Sequence, residues 1–287
     1  MQNRFMGGRV LPASSLIASQ DSGLVATGAP AESAVEPGGP VIVARDATYG
    51  ARGYRSFEFA SFVGREGEVV ALLSSDRAPA RDLALACAGF VRPTAGSLSV
   101  GGIELARSSG AQHRISRGPR LPRGYAGVGV FSGLFDIDRE LTVEEAVVRE
   151  LRLRAERARG IAEPPLEYLA MHHLATHADQ RASQLAPLYR ARLSAALACA
   201  GGVKVAAIDL GDAFVEGLSA DDACAVVDGA RSVAGDRGVC VVVATQELRA
   251  ALSADSRCAL DIASKEGLER AASLLEGAQA EKEGDAR

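Results

Sequence analysis

The sequence predicts an α/β protein in which a parallel sheet is covered on both faces by helices. An antiparallel strand pair precedes the sheet, and a helical segment interrupts it. Three observations carry this reading. Apolar, β-branched runs at 68–73, 203–210 and 239–245 have the length and composition of buried strands. Stretches of helical pattern separate them, which is the alternation of a parallel sheet. Residues 67–105, GEVVALLSSDRAPARDLALACAGFVRPTAGSLSVGGIEL, have the outline of a phosphate-binding strand, loop and helix.

The elements follow in order. Residues 1–39 are rich in Ser, Ala, Gly and Pro and read as a flexible arm without the apolar region of a signal peptide. Order begins at Pro40, where VIVARDATYG forms a strand, and residues 54–63 pair with it after a Gly-containing turn. Residues 68–73 form a buried strand. A helix is predicted over 82–89, with Asp82 as its cap, Gly89 at its end and Pro93 beyond. Residues 97–100 enter a Gly101–Gly102 turn and a paired strand. Residues 107–123, RSSGAQHRISRGPRLPR, form a basic loop. Its charge suits phosphate, RNA or anionic lipid, but little aromatic interleaving accompanies it, so it reads as a solvated loop.

A strand at 127–131 precedes the helical middle of the chain. Helices are predicted over 141–158, 166–178 and 184–200. Thr142 opens the first of these, with Glu144 and Glu145 in its first turn. Then come a strand at 203–210, a helix at 220–233, a strand at 239–245, a helix at 246–253 and a strand at 258–262. An amphipathic helix from 264 frays into a charged tail.

Composition narrows the function classes. The chain has 287 residues, 47% hydrophobic and 24% charged, which suits one large globular domain or two small ones. A net charge of −4 gives no basis for electrostatic binding of nucleic acid across the surface. Apolar runs are too short and interrupted to span a bilayer. Cys87, Cys199, Cys224, Cys240 and Cys258 are scattered, without a C-x-x-C pair, and read as reduced thiols of a cytoplasmic protein. His173 and His177 are spaced i, i+4, but two ligands fall short of a metal set, so they read as a solvated helix face.

The loop after the strand at 68–73 lacks the residues that hold phosphate. The G-x-x-x-x-G-K-[ST] pattern supplies glycines, a lysine and a hydroxyl for the phosphates and magnesium. Here the four positions hold Ser74, Pro79, Ala80 and Arg81. Proline removes an N–H donor and stiffens the loop, and alanine removes the cation. Asp82 places negative charge near the helix start, where an anion would otherwise be drawn. Arg77 and Arg81 are the nearby cations, though a guanidinium is bulkier and more forked than an ammonium.

Over about residues 40–262 the chain resembles the nucleotide-binding subunit of ATP-binding cassette (ABC) transporters. GEVVALL and CAGFVRPTAGSLSVGGIEL look like that family's strand, helix and Gly-Gly turn. LTVEEAV looks like the opening of its helical subdomain, here about 141–200. ARLSAALACAGGVKVAAID looks like the helix and strand that end in the Walker B aspartate, and VVVATQEL like the strand before the switch histidine. The resemblance implies a P-loop NTPase-like core with an antiparallel β subdomain and a helical subdomain, between the arm at 1–39 and the helix and tail at 263–287.

The departures from that family are as consistent as the matches. Ser132 stands near the Q-loop glutamine. Leu185, Ala186, Pro187, Leu188 and Tyr189 stand for the Leu-Ser-Gly-Gly-Gln signature. Leu210 replaces the catalytic glutamate, Ser219 the D-loop aspartate and Gln246 the switch histidine. No catalytic residue is left. Asp209 matches the magnesium-associated aspartate, and Tyr49 lies where the family places an adenine-stacking aromatic. Tyr49, Arg77, Arg81 and Asp209 are therefore the residues left for residual contact with ATP, and Asp209 for magnesium, with weak or absent binding of both expected.

The resemblance implies a pseudo-ATPase docked to a transmembrane permease, in the cytoplasm at the inner membrane face, and paired with itself or another cassette subunit. Leu134, Phe135 and Ile137 form an apolar cluster at the position of the permease-binding groove, and such a cluster is either interface or core. Two other functions stay open: an ATP-binding or ATP-hydrolysing transporter subunit that uses Arg77 or Arg81, and a free cytoplasmic interaction protein with a borrowed fold.

Overall fold

The computed structural model describes residues 38–285 apart from 52, 108–118 and 159–161. The expected arm at 1–39 and the basic loop at 107–123 thus lie mostly outside the described residues.

Two sheets organise the chain. The first is antiparallel, in the order β2 (Tyr54–Arg65), β1 (Pro40–Ala51), β4 (Ala95–Val100) and β5 (Ile103–Arg107). The second is parallel, in the order β6 (Ala126–Val128), β7 (Val205–Asp209), β8 (Cys240–Thr245), β3 (Val69–Leu73) and β9 (Ser256–Ala259). This is the predicted α/β class with its antiparallel part. Every residue of β3, β7 and β8 is buried. That is why these strands read as continuous apolar runs and not as alternating ones.

The helices are α1 (Arg77–Cys87), α2 (Val143–Ala158), α3 (Pro165–Met171), α4 (Pro187–Cys199), α5 (Ala220–Arg237), α6 (Leu248–Ser253) and α7 (Ile262–Asp285). Two apolar clusters fill the space around the parallel sheet. Val69, Ala71 and Leu73 of β3 join the cluster that includes α4 and α5. Val70 and Leu72, on the opposite face of the same strand, join the one that includes α1 and the antiparallel sheet.

Local chemistry sets the helix ends. Thr142 and Glu145 bond each other's backbone N–H groups at 3.2 and 2.8 Å, a reciprocal cap on α2. The Ser219 hydroxyl accepts from the Asp222 N–H and opens α5, and Gly238 closes it at φ 60°. Asp261 accepts from the Ser264 N–H at 2.8 Å at the start of α7. Close packing also demands glycine. A Cβ on Gly127 would lie 2.0 Å from the Ala198 carbonyl oxygen, and one on Gly129 would lie 2.3 Å from the Ser194 hydroxyl. These two glycines let α4 press directly against the edge strand of the sheet.

Three predictions are corrected. The helix after β3 begins at Arg77 rather than Asp82, so Pro79 lies in its first turn. There the N–H groups have no helical partner, and proline costs the helix no bond. Asp82 lies inside the helix and accepts from the Ser56 hydroxyl at 2.7 Å instead of capping it. The helix predicted over 166–178 stops at Met171. His173 takes a left-handed conformation, φ 55°, and His177 belongs to a separate short turn with its ring against Tyr189. The i, i+4 histidines therefore do not share a helix face.

Candidate functional site

The place where the sequence predicts a phosphate-binding loop is the connection from β3 to α1. It is three residues long, Ser74 to Asp76. The segment that would wrap a phosphate is wound into the first turn of α1. Protein acceptors engage two of the amides that remain. The Ser74 N–H donates to the Thr245 carbonyl at 3.2 Å, and the Ser75 N–H to the Asp261 carboxylate at 2.7 Å. Gln246 donates through Nε2 to the Ser75 carbonyl at 2.9 Å, closing the connection from the β8 side.

Arg77 opens α1 and turns its guanidinium toward the end of β7. Its Nε lies 3.2 Å from Asp209 Oδ2, and a terminal nitrogen donates to Asp212. Both carboxylates are 2% exposed. Asp209 is fixed further by the Gly211 N–H at 2.9 Å. Asp212 accepts from the Phe214 N–H at 2.8 Å, from the Ser132 N–H at 2.9 Å and from the Ser132 hydroxyl. Arg81, one turn along α1, donates to the Ser132 carbonyl at 3.0 Å.

The two aspartates sit in different balances. Burial pushes the Asp209 carboxyl above the usual range, and Arg77 and the Gly211 N–H only partly offset it. Asp212 is also raised by burial, but the Ser132 hydroxyl, the Phe214 and Ser132 amides and Arg77 outweigh that and hold it below the usual range. Asp212 is thus the firm anion of the cluster. Asp261 is likewise lowered, since its amide and hydroxyl donors outweigh its burial.

The predicted site residues separate. Arg77 and Asp209 come together in one ion pair, and Arg81 joins them through Ser132. Tyr49 stands on the antiparallel sheet, opposite Phe57, with ring centroids 6.0 Å apart. Leu134 is 59% exposed, whereas Phe135 is half-buried, its ring 4.6 Å from that of Phe90. Ile137 packs against the core. Sequence reasoning missed Asp212 and Asp261. Nothing local in the sequence marks either, since Asp212 lies 135 residues from Arg77 and Asp261 lies 186 residues from Ser75.

The residues present do not fit magnesium or a triphosphate. A guanidinium already occupies the place of a cation at Asp209, and the Ser74 and Ser75 amides of the loop face protein oxygens. Among the described residues no three His, Cys, Asp or Glu side chains converge as metal ligands. Nor is any described helix long and apolar enough to cross a membrane.

No family model matches the sequence, and no curated protein does. Solved structures do match. A nucleotide-free ATP-binding cassette from an ABC transporter shares 14% identity at TM-score 0.53, over 77% of this chain and 87% of that one. A dimeric ATP-binding cassette in a post-hydrolysis state, bound to ADP and phosphate, shares 19% at TM-score 0.54, over 77% and 94%. A proposed ABC transporter ATP-binding protein from Pyrococcus furiosus shares 13% at TM-score 0.54, over 76% and 96%. At these identities the likeness is one of fold, and the fold of this chain is that of an ATP-binding cassette.

Proposed function

We propose that the chain is a degenerate ATP-binding-cassette subunit, a pseudo-ATPase that serves a membrane permease as a structural or regulatory component. Residues 40–262 are its cassette and 141–200 the helical subdomain. It works in the cytoplasm, against the inner face of the membrane, alone or paired with a second cassette subunit. The observation that carries this is Arg77 seated on Asp209 and Asp212. Phosphoryl transfer depends on a held triphosphate, a metal and an oriented water. In this chain the metal-associated aspartate is neutralised by a side chain of its own fold, and Leu210, beside it, can accept neither a proton nor a hydrogen bond. A catalytic reading that relies on Arg77 as the missing cation gains no support from the geometry, because its guanidinium is engaged with Asp209 and Asp212, and Arg81 is turned by one nitrogen to the Ser132 carbonyl.

Calorimetry with ATP and magnesium tests the binding half of the proposal. The expected result is no saturable heat up to millimolar nucleotide, and a dissociation constant in the low micromolar range overturns it. For catalysis, purified protein should release no phosphate above a blank. Activity that is abolished by Asp209→Asn would make the chain an enzyme, while activity that survives the change marks a contaminant.

A further inference from the structure

The stretch from Phe131 to Glu140 leads from the parallel sheet into α2, and Ser132 is its fixed point. All three polar groups of Ser132 are engaged. Its N–H and hydroxyl donate to the two oxygens of Asp212, and its carbonyl accepts from Arg81 at 3.0 Å. Asp212 also receives Arg77 and the Phe214 N–H. One carboxylate therefore joins the start of α1, the segment after β7 and the loop after β6. Beyond Ser132 the loop closes on itself. Phe131 and Phe135 exchange backbone hydrogen bonds of 3.1 and 2.9 Å, and the Gly133 N–H turns to the Asp136 carboxylate. Leu134 is held outward at the tip of this turn.

We propose that Asp212 and Ser132 form a constitutive latch, holding the 131–135 loop and its exposed Leu134 in one arrangement without nucleotide. The inference goes beyond the degenerate-site reading, since it concerns the order of the loop and not the binding of nucleotide; a latch released by ATP would be an ordinary ligand switch. In switch proteins a bound phosphate orders a loop, and its loss releases the loop. Here carboxylate and guanidinium groups of the fold provide that order permanently. The loop conformation is then a fixed property of the chain, and the surface around Leu134 is presented in the same way whatever the nucleotide supply.

Hydrogen exchange on the full chain tests this, following the amides of 133–135 against those of β8. In wild-type protein the loop amides should be protected, and millimolar ATP with magnesium should leave their rates unchanged. Ser132→Ala removes the hydroxyl bond but keeps both charges. It should raise loop exchange at least about tenfold while β8 stays as it was, and Ser132→Thr should restore wild-type protection. The latch is overturned by loop amides that exchange as fast as free peptide, by equal loop rates in Ser132→Ala and wild type, or by protection that appears only with nucleotide. The two proposals fail separately. Micromolar ATP binding with an unchanged loop defeats the pseudo-ATPase reading and supports the latch. A fast loop with no ATP binding defeats the latch alone.

Discussion

Arg77 is one-third exposed, but the two carboxylates that it meets are almost fully buried. Removing it therefore matters mainly through what it leaves behind. Arg77→Ala is expected to destabilise the fold by about 1–3 kcal/mol, the usual cost of taking one partner from a buried polar group, because Asp212 keeps its Ser132 and Phe214 donors and Asp209 keeps the Gly211 N–H. Urea unfolding of the variant beside wild type measures this. Part of the loss should vanish in a double-mutant cycle: Asp212→Asn should cost less on the Arg77→Ala background than on wild type, and equal costs would mean that the pair is not coupled. The same cluster shows what a single sequence hides at this scale. Asp209 was legible because the helix and strand that it ends resemble the segment closing on the Walker B aspartate. Asp212 was not, because its partners Arg77 and Ser132 lie 135 and 80 residues away along the chain. Nothing local distinguishes an aspartate that caps a turn from one that anchors three elements.

Helix boundaries follow the same division at the scale of elements. The start of α2 was readable because its cap is local, a threonine and a glutamate three residues apart. The start of α1 was misplaced because Pro79 reads as a loop residue, while tertiary bonds from Arg77 set the true beginning. The end of α3 was missed because the left-handed turn at His173 carries no glycine. That break leaves His172 buried against Tyr168, ring centroids 4.8 Å apart, with its Nε2 unpartnered. Burial, with Arg237 and His173 nearby, pushes its pKa from the usual value down to about 3. The unfolded chain then binds a proton near pH 6.5 that the folded chain refuses, so stability is lost as pH falls from that value toward 3. Between pH 7.5 and 4.5 the loss from this group should be about 2–3 kcal/mol. His172→Phe should flatten that part of the urea midpoint's pH dependence, and an unchanged slope would remove His172 as its source. The loop after β6 gives a second element-scale test. Leu134→Asp changes an exposed side chain and should shift stability by less than about 0.5 kcal/mol. If the loop docks a permease, the same variant should leave the membrane fraction in which wild-type protein is found. Phe135→Asp is the contrasting change, because its ring packs on Phe90 and its loss should lower the melting temperature.

For the molecule as a whole, ligand linkage gives a direct check. A ligand held at 10 μM and supplied at 1 mM would stabilise the fold by about 2.7 kcal/mol. On the proposed pseudo-ATPase function, ATP with magnesium should instead leave the melting temperature unchanged, and a shift of several degrees would overturn that proposal. The sheet arrangement itself was legible in outline, since buried strands, a Gly-Gly turn and helical spacers suffice to specify an α/β fold with an antiparallel part. The order of strands within the parallel sheet was not legible from these signals. Strand order depends on crossovers, and no side chain in β3 reveals that its neighbours come from residues 240–245 and 256–259.

That strand order also bears on how the protein is made. The chain is synthesised from its N-terminus, and β3 emerges early. Both strands that flank it belong to the last fifth of the sequence, and the Val69 and Ser75 amides wait for Asp255 and Asp261, each 186 residues further on. Until those residues leave the ribosome, β3 has two unpaired edges and an apolar surface that other chains or chaperones can meet. Pairings at such separation close slowly. Nascent chains halted with residues up to 230 exposed should therefore remain sensitive to protease around 69–87, and resistance there should appear only after residue 261 has cleared the exit tunnel.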